Sequence, residues 1–254
     1  MILSKAVQRN YSTRMGEYVT VKNLQRGQLG SSLEPLMTAL RDKDTKMREF
    51  RLLAKEIYNI YIIPEFLQTL TMRDVTITTG NNCKYVGKVF VPQEIVVIDI
   101  PTAGTAPAEL MIDQLNYIIG DHGFDIHKGV IDITRIEGAG GVLRHDMQRV
   151  KMRSIGPNTY AVFPDIMLAS AGTYETAANE VLNAERHFDK GGSISKIFLA
   201  PLISSAEGIC KVSLMLEDLK IPSQIVSAAI DPELDVKKYI RPGLGDAGDR
   251  MNNR

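Results

Sequence analysis

Between residues 94 and 229 the chain repeats one grammar: a β-branched run, a loop of small residues, then a stretch with helical spacing. The run Glu94-Ile95-Val96-Val97-Ile98-Asp99-Ile100 shows no polar alternation, which suits a strand buried on both faces of a parallel sheet. It ends in Pro101-Thr102-Ala103-Gly104-Thr105, and a helix-like stretch follows from Ala108 to Ile118. Gly129–Thr134 and Tyr160–Phe163 read as further strands. The second leads through Ala169-Ser170-Ala171-Gly172-Thr173 into a helix from about Glu175 to Glu185. Ile194–Ala200 is a strand, with a helix from about Gly208 to Leu219, and Gln224–Ala229 is the last strand. Strands alternating with helices predict α/β architecture: a largely parallel central sheet flanked by helices.

The chain before residue 94 reads differently. Leu36, Leu40, Phe50, Leu53, Ile57, Ile60 and Ile63 recur at helical spacings, with Asp42-Lys43-Asp44 as a polar turn between helices. Pro64 lies near the start of another helical segment. Gly80-Asn81-Asn82 is a turn between the extended runs Val75–Thr78 and Tyr85–Val91, a small hairpin. The first sixteen residues carry Lys5, Arg9 and Arg14 without an acid and without a long apolar stretch. They read as a mobile or dimer-contacting arm, with organelle targeting as the lesser reading. The expected organisation is an N-terminal extension over residues 1–32 and a single domain over 33–254.

Composition removes several function classes. Thirty Lys+Arg balance thirty Asp+Glu, so no basic excess points to a nucleic-acid backbone. The longest apolar runs, Ile60–Ile63 and Ile95–Ile98, fall far short of the roughly 20 residues that span a bilayer. A soluble, cytoplasmic protein is expected, with neither nucleic acid nor membrane as partner. Cys83 and Cys210 stand far apart without a CxxC pair, which argues for small buried hydrophobes and against a disulfide or zinc site. His122, His127, His145 and His187 are scattered and suggest no nucleophilic triad.

In an open parallel sheet the ligand lies outside the carboxyl ends of the strands, so the strand-to-helix loops are where chemistry belongs. The segment from Asp165 through Ile166, Met167, Leu168, Ala169, Ser170, Ala171 and Gly172 to Thr173 places an acid just beyond a strand and small and hydroxyl residues at a helix N-terminus. That composition fits a phosphate cradle; it also fits a plain helix capped by Ser170 or Thr173. Pro101–Thr105 permits a tight backbone path at Gly104, as an ordinary strand–helix turn also would. The third segment, Tyr239-Ile240-Arg241-Pro242-Gly243-Leu244-Gly245-Asp246-Ala247-Gly248-Asp249-Arg250, is too rich in glycine and aspartate for a regular helix. It offers main-chain donors and acceptors to a small planar heterocycle, or else is a disordered tail.

This last segment resembles the C-terminal signature of uracil phosphoribosyltransferases. Leu40-Arg41-Asp42-Lys43-Asp44-Thr45 with Glu49-Phe50-Arg51 is similar to that family's "LRDK-(D/E)-T…EFR" helix, and Asp165–Thr173 to its "DPMLATGGS" phosphate loop. The resemblance runs from about residue 33 to 250. It implies a type I phosphoribosyltransferase core with a hood and an arm used in dimers. It also implies transfer of phosphoribose from phosphoribosyl pyrophosphate to N1 of uracil, giving UMP and pyrophosphate with magnesium as cofactor. By position, Asp165 to Thr173 hold the ribose 5-phosphate and ribose hydroxyls. Thr102, Ala103, Gly104 and Arg135 form the pyrophosphate side. Tyr239, Ile240, Gly245, Asp246 and Ala247 form the uracil side, where Asp246 also faces the donor and is a candidate contact to magnesium. The implied partners are the two substrates, a second copy of the chain, and a nucleotide effector for which Arg41, Asp42 and Lys43 are candidates if they are not dimer contacts. Glu207 and Gly208 resemble the family's "APEG" turn and read as structural.

The match is uneven. The family's "PILRAG" loop is Asp99-Ile100-Pro101-Thr102-Ala103-Gly104 here, so a neutral hydroxyl stands where a guanidinium fork is usual. Ala171 replaces a glycine, and Glu137–Gly141 with the basic run Arg144 to Arg153 replaces the usual hood sequence. Three functions compete: a uracil enzyme with a compensating cation such as Arg144, Arg149 or Arg153; a transferase for another base; and a non-catalytic paralogue that binds uracil or UMP and regulates or scaffolds a partner.

Overall fold

The computed structural model describes residues 2–101, 103–138, 141–183 and 191–252. The chain opens with helix α1 (Ile2–Arg9) and an antiparallel pair, β1 (Ser12–Arg14) and β2 (Val19–Asn23). Helices α2 (Gly30–Arg41) and α3 (Met47–Ile57) flank the expected polar turn. A π-helical turn, Tyr58–Ile62, runs without a break into α4 (Ile63–Leu67); the Ile63 N–H bonds back to the Tyr58 carbonyl, and Pro64 supplies no donor to the helix that follows. Strands β3 (Met72–Thr78) and β4 (Lys84–Phe90) form the expected hairpin.

The core elements then alternate. They are β5 (Glu94–Asp99), α5 (Thr105–Ile119), β6 (Asp125–Gly138), β7 (Gly141–Lys151), β8 (Thr159–Leu168), α6 (Gly172–Asn183), β9 (Ile194–Ser205) and α7 (Ala206–Leu219). The chain closes with β10 (Ser223–Ser227), β11 (Ala229–Asp231), β12 (Glu233–Leu234), β13 (Ile240–Arg241) and α8 (Ala247–Asn252). The main sheet has the order β1-β2-β10-β9-β8-β5-β6-β7, with β11 beside β9. It is parallel from β2 through β6 and antiparallel at both edges.

Two apolar cores explain the missing polar alternation. Ile95 and Val97 face the core built with α2 to α5, whereas Val96 and Ile98 face the core built with α6 and α7. Tyr160 and Val162 divide from Ala161 and Phe163 in the same way. Each central strand is therefore covered on both sides, as the β-branched run predicted.

The first sixteen residues, read as a mobile or dimer-contacting arm, pack on their own chain: Val7 is buried in the core and β1 pairs with β2. Val19 and Val21 are buried in the sheet, and β2 pairs with β10 along five residues. The Glu217 carboxylate of α7 accepts the backbone N–H groups of Glu17 (3.0 Å), Tyr18 (2.8 Å) and Val19 (2.6 Å). A Cβ on Gly16 would stand 2.3 Å from the Glu217 Cδ, so the tight approach needs glycine there. On the other face, buried Glu65 of α4 accepts from the Tyr11 hydroxyl and from Lys22.

Two further expectations are corrected. Cys83 is exposed in the hairpin turn and Cys210 is partly exposed; both are free thiols, not buried hydrophobes. Strands β8 and β9 run on to Leu168 and Ser205, so Asp165 lies inside a strand instead of beyond it. Among the described residues no helix is long and apolar enough to cross a membrane.

Three charge-assisted hydrogen bonds make Glu217 the main anchor of β1 and β2. Glu217→Ala should cost about 2 kcal/mol in urea unfolding, and Glu217→Gln, which keeps an acceptor, clearly less.

Candidate functional site

The carboxyl ends of β5, β6 and β8 open on a cleft of about 450 Å³. Ile100, Pro101, Ala103 and Gly104 form its wall after β5. Asp132, Ile133 and Thr134 line it from β6. Asp165 and Met167 enter from β8, and Thr173 from the first turn of α6. Asp246, Ala247, Gly248 and Asp249 close the far side. Four segments, spread from Ile100 to Asp249 in sequence, thus meet around one space.

Of the residues expected on the phosphate side, Asp165, Met167 and Thr173 line the cleft. Ile166 points the other way, into a second cavity of about 420 Å³ between α3 and α5. Leu168 and Ala171 are buried in the α6–α7 core. Ala169 and Ser170 form the turn between β8 and α6. The Ser205 hydroxyl donates to the Ala169 carbonyl at 2.6 Å and accepts the Gly208 N–H at 2.8 Å. A Cβ on Gly208 would lie 2.1 Å from the Ala169 oxygen, which gives the Glu207–Gly208 turn the structural role expected of it. The first turn of α6 presents N–H groups without helical partners toward this end of the sheet.

On the pyrophosphate side Ala103 and Gly104 line the cleft, and Thr102 lies outside the described residues. Arg135 belongs to β6, where its backbone faces His145 of β7; its side chain, like that of Arg144, lies outside the described residues. Arg149 stands cross-strand from Asp132 and is exposed. Arg153 points to the opposite end of the sheet, where it pairs with Asp125 and reaches His127 Nδ1 at 3.0 Å. On the uracil side Asp246 and Ala247 line the cleft. Ile240 is buried in the core, Tyr239 is exposed, and Gly245 turns the chain at φ +84°. The final stretch is not wholly irregular, since Ala247–Asn252 closes into the short helix α8 despite Gly248.

Sequence reasoning missed Asp132 and Asp249 as cleft residues. Asp132 was legible only as an acid inside an apolar strand; its place beside β5 follows from the parallel register of β5 and β6. It also missed Tyr58. The buried Tyr58 hydroxyl accepts the Asp165 N–H (3.0 Å) and stands within donating reach of the carbonyls of Asp165 (2.8 Å) and Ala200. This fixes the backbone of Asp165 from the opposite face.

The wall carrying Asp246 and Ala247 is held from behind. Arg41, the last residue of α2, forks onto Asp231 with two 2.8 Å bonds and donates to the Gly243 carbonyl at 2.8 Å. Asp231 also accepts the Gly243 N–H at 2.8 Å. Arg250 donates to the carbonyls of Leu244 (3.0 Å) and Asp42 (2.7 Å) and lies 4.5 Å over the Phe50 ring. Arg51 donates to the Met251 carbonyl at 2.8 Å. Lys43, by contrast, is exposed and among the described residues pairs with Asp44.

An open parallel sheet with a cleft at its carboxyl ends and a small-residue turn before a helix is the architecture of a type I phosphoribosyltransferase. A sequence model described as uracil phosphoribosyltransferase matches residues 30–253, and the chain belongs to that family. It is 28% identical to the uracil phosphoribosyltransferase of Campylobacter curvus (strain 525.92) over 221 residues, covering 87% of this chain and 94% of that one. It is 31% identical to that of Thermosipho melanesiensis (strain DSM 12029 / CIP 104789 / BI429) over 216 residues, covering 85% and 91%. Among solved structures it is similar to the AQ2163 protein from Aquifex aeolicus. The TM-score is 0.69 at 23% identity, over 91% of this chain and 97% of that one.

Two predictions come from this geometry. Ala171 sits at φ +72°, a left-handed conformation that costs a non-glycine residue roughly 1–3 kcal/mol. Glycine gives back part of that gain through its freer unfolded chain, so Ala171→Gly should stabilise the fold by about 1 kcal/mol in thermal or urea unfolding. The second concerns alkaline pH. Burial, reinforced by the Asp165 carboxylate, holds the hydroxyls of Tyr58 and Tyr174 well above the ordinary tyrosine range. Unfolded tyrosines ionise near pH 10 while these two stay protonated. Stability from this source is therefore complete below about pH 10 and falls above it, by up to about 1.4 kcal/mol per pH unit for each tyrosine. Denaturant titrations from pH 8 to 11.5 should show the break, with a shallower slope in Tyr58→Phe.

Proposed function

We propose that the protein transfers phosphoribose from phosphoribosyl pyrophosphate to N1 of uracil, working in the cytoplasm. The C1′–oxygen bond to pyrophosphate breaks, the N1–C1′ bond forms, and the N1 proton leaves to solvent, giving UMP and pyrophosphate. The observation that carries this reading is the meeting of Pro101, Ala103 and Gly104, of Asp165, Met167 and Thr173, and of residues 246–249 around one cleft. The turn after β8, the N-terminus of α6 and the Thr173 hydroxyl receive the 5-phosphate. Main-chain groups of the final loop, from Ile240 to Ala247, read the base. Ala103, Gly104 and Arg135 face the pyrophosphate. Such chemistry needs positioning and charge neutralisation, not a covalent nucleophile.

Magnesium fits this cleft as a passenger of the diphosphate. Asp132, Asp165, Asp246 and Asp249 offer the oxygen donors it prefers. Among the described residues no three of these carboxylates converge into a cage, so the phosphate oxygens complete its shell. When bound it neutralises the departing pyrophosphate. A second copy of the chain is the partner we assign to the β3–β4 hairpin. That hairpin exposes Ile77, Tyr85 and Val86, and an isolated hairpin is marginal in water.

A second reading, nucleotide binding without turnover, is favoured by Thr102, because a neutral hydroxyl cannot replace a guanidinium fork on a diphosphate. Incubation with uracil, donor and magnesium should release UMP and pyrophosphate in equal amounts. UMP that binds in calorimetry but never forms establishes the second reading instead. Thr102→Arg should raise turnover on the order of tenfold; an unchanged rate means that the site is built around the threonine.

A further inference from the structure

We infer that Arg41, acting through Asp231, is the positioning residue of the base-reading loop. This deepens the proposed function and rests on its assignment of the base to residues 240–247. The motif that contains Arg41 was singled out by resemblance, yet none of its residues lines the cleft. Its contacts lead elsewhere.

A loop that reads a heterocycle by its main chain works only if its peptide planes are fixed. Residues 242–246 belong to neither strand nor helix, and Gly243 and Gly245 adopt φ +66° and +84°. No ladder therefore holds them, and side chains must. Both polar atoms of Gly243 are taken: its N–H by the Asp231 carboxylate and its carbonyl by Arg41, each at 2.8 Å. Arg41 and Asp231 hold each other by two parallel bonds of 2.8 Å. Asp231 is 7% exposed and closes β11 at the carboxyl end of the sheet, so the latch is anchored in the core. Arg250 pins the next carbonyl, Leu244, to the turn after α2. Two residues further on, Asp246 enters the cleft.

The arrangement explains why arginine is required. One guanidinium spans a carboxylate and a peptide carbonyl at once; an ammonium supplies a point charge and cannot keep the plane. A Cβ on Gly243 would meet the Ile240 oxygen at 2.1 Å, so the turn needs glycine, whose own backbone freedom leaves the latch to fix the peptide planes. An error of about 1 Å in such a wall weakens base capture without touching the phosphate turn.

The test uses the full chain with Arg41→Gln, Arg41→Lys and Asp231→Asn, and two readouts. In hydrogen exchange, peptides covering residues 240–252 should exchange on the order of tenfold faster in Arg41→Gln and Asp231→Asn, with β8 and β9 unchanged. In steady-state kinetics, KM for uracil should rise on the order of tenfold while KM for the phosphoribosyl donor stays within about twofold. Arg41→Lys should fall between wild type and Arg41→Gln in both. Unchanged loop exchange in a folded variant overturns the inference, and so does faster exchange spread evenly over the sheet. If Arg41→Gln does not fold, Arg250→Gln must loosen the same peptides, or the latch is wrong. If the wild-type protein makes no UMP, the functional reading fails, while the exchange measurement still decides on the latch.

Discussion

The central strands can carry polar groups only where they leave the core. Covered on both faces, β5, β8 and β9 are apolar through their middles, and a carboxylate placed near their ends is costly unless partnered. Three buried acids at the carboxyl ends meet that condition differently. Asp99 is bonded by Thr105 (2.9 Å) and Lys128 (3.2 Å), which fixes the start of α5. Asp231 is bonded by Arg41 and Gly243, which fixes the final loop. Asp165 accepts the Ile166 N–H at 2.7 Å and faces the cleft. One constraint thus sets two walls and leaves one acid to the ligand side.

The remaining wall does not come from the sheet. It is carried by the last residues of the chain and tied to helices near residues 41–51 through guanidinium groups. Arginine suits the task because its donors reach several carbonyls in one plane. The contact is long range: Arg41 and Asp231 are 190 residues apart, so joining them carries the entropic cost of closing a long loop.

This separation marks where the sequence stopped being readable. The β-branched runs announced the parallel strands because burial on both faces removes alternation, and the polar turn after α2 announced its helices. The ends of β8 and β9 were misjudged, because Asp165, Ser204 and Ser205 look like loop residues until a neighbouring strand supplies their ladder. Strand β2 went unread for a similar reason. Val19-Thr20-Val21-Lys22-Asn23 is short and half polar, and it becomes a strand because β10 offers an edge and Glu217 gathers the amides before it. Cys83 was misplaced because cysteine's average burial says nothing about a hairpin turn. In the cleft, the segments that resemble known motifs were legible; Asp132, Asp249 and Tyr58 reach it or brace it only through pairing across the fold.

The charge balance of the chain acquires meaning at the cleft. Four aspartates line it, while the described arginines in or beside the final loop, Arg41, Arg51, Arg241 and Arg250, spend their donors on Asp231, Asp235 and backbone carbonyls. They build the wall instead of facing the ligand. On the proposed function, a diphosphate in this aspartate-lined space depends on main-chain amides and on the cation that accompanies it. On the β6–β7 hairpin Arg149 stands directly across from Asp132, the cleft residue of the neighbouring strand. Residues directly across an antiparallel pair share a face, but the ladder shifts register directly after this pair and Arg149 is exposed, outside the cleft lining. Arg153, which binds Asp125 at the opposite end, has no part in it. Of the described cations in the basic run, Arg149 and Lys151 share one face of β7, and Arg149 is the one paired across from the cleft residue Asp132.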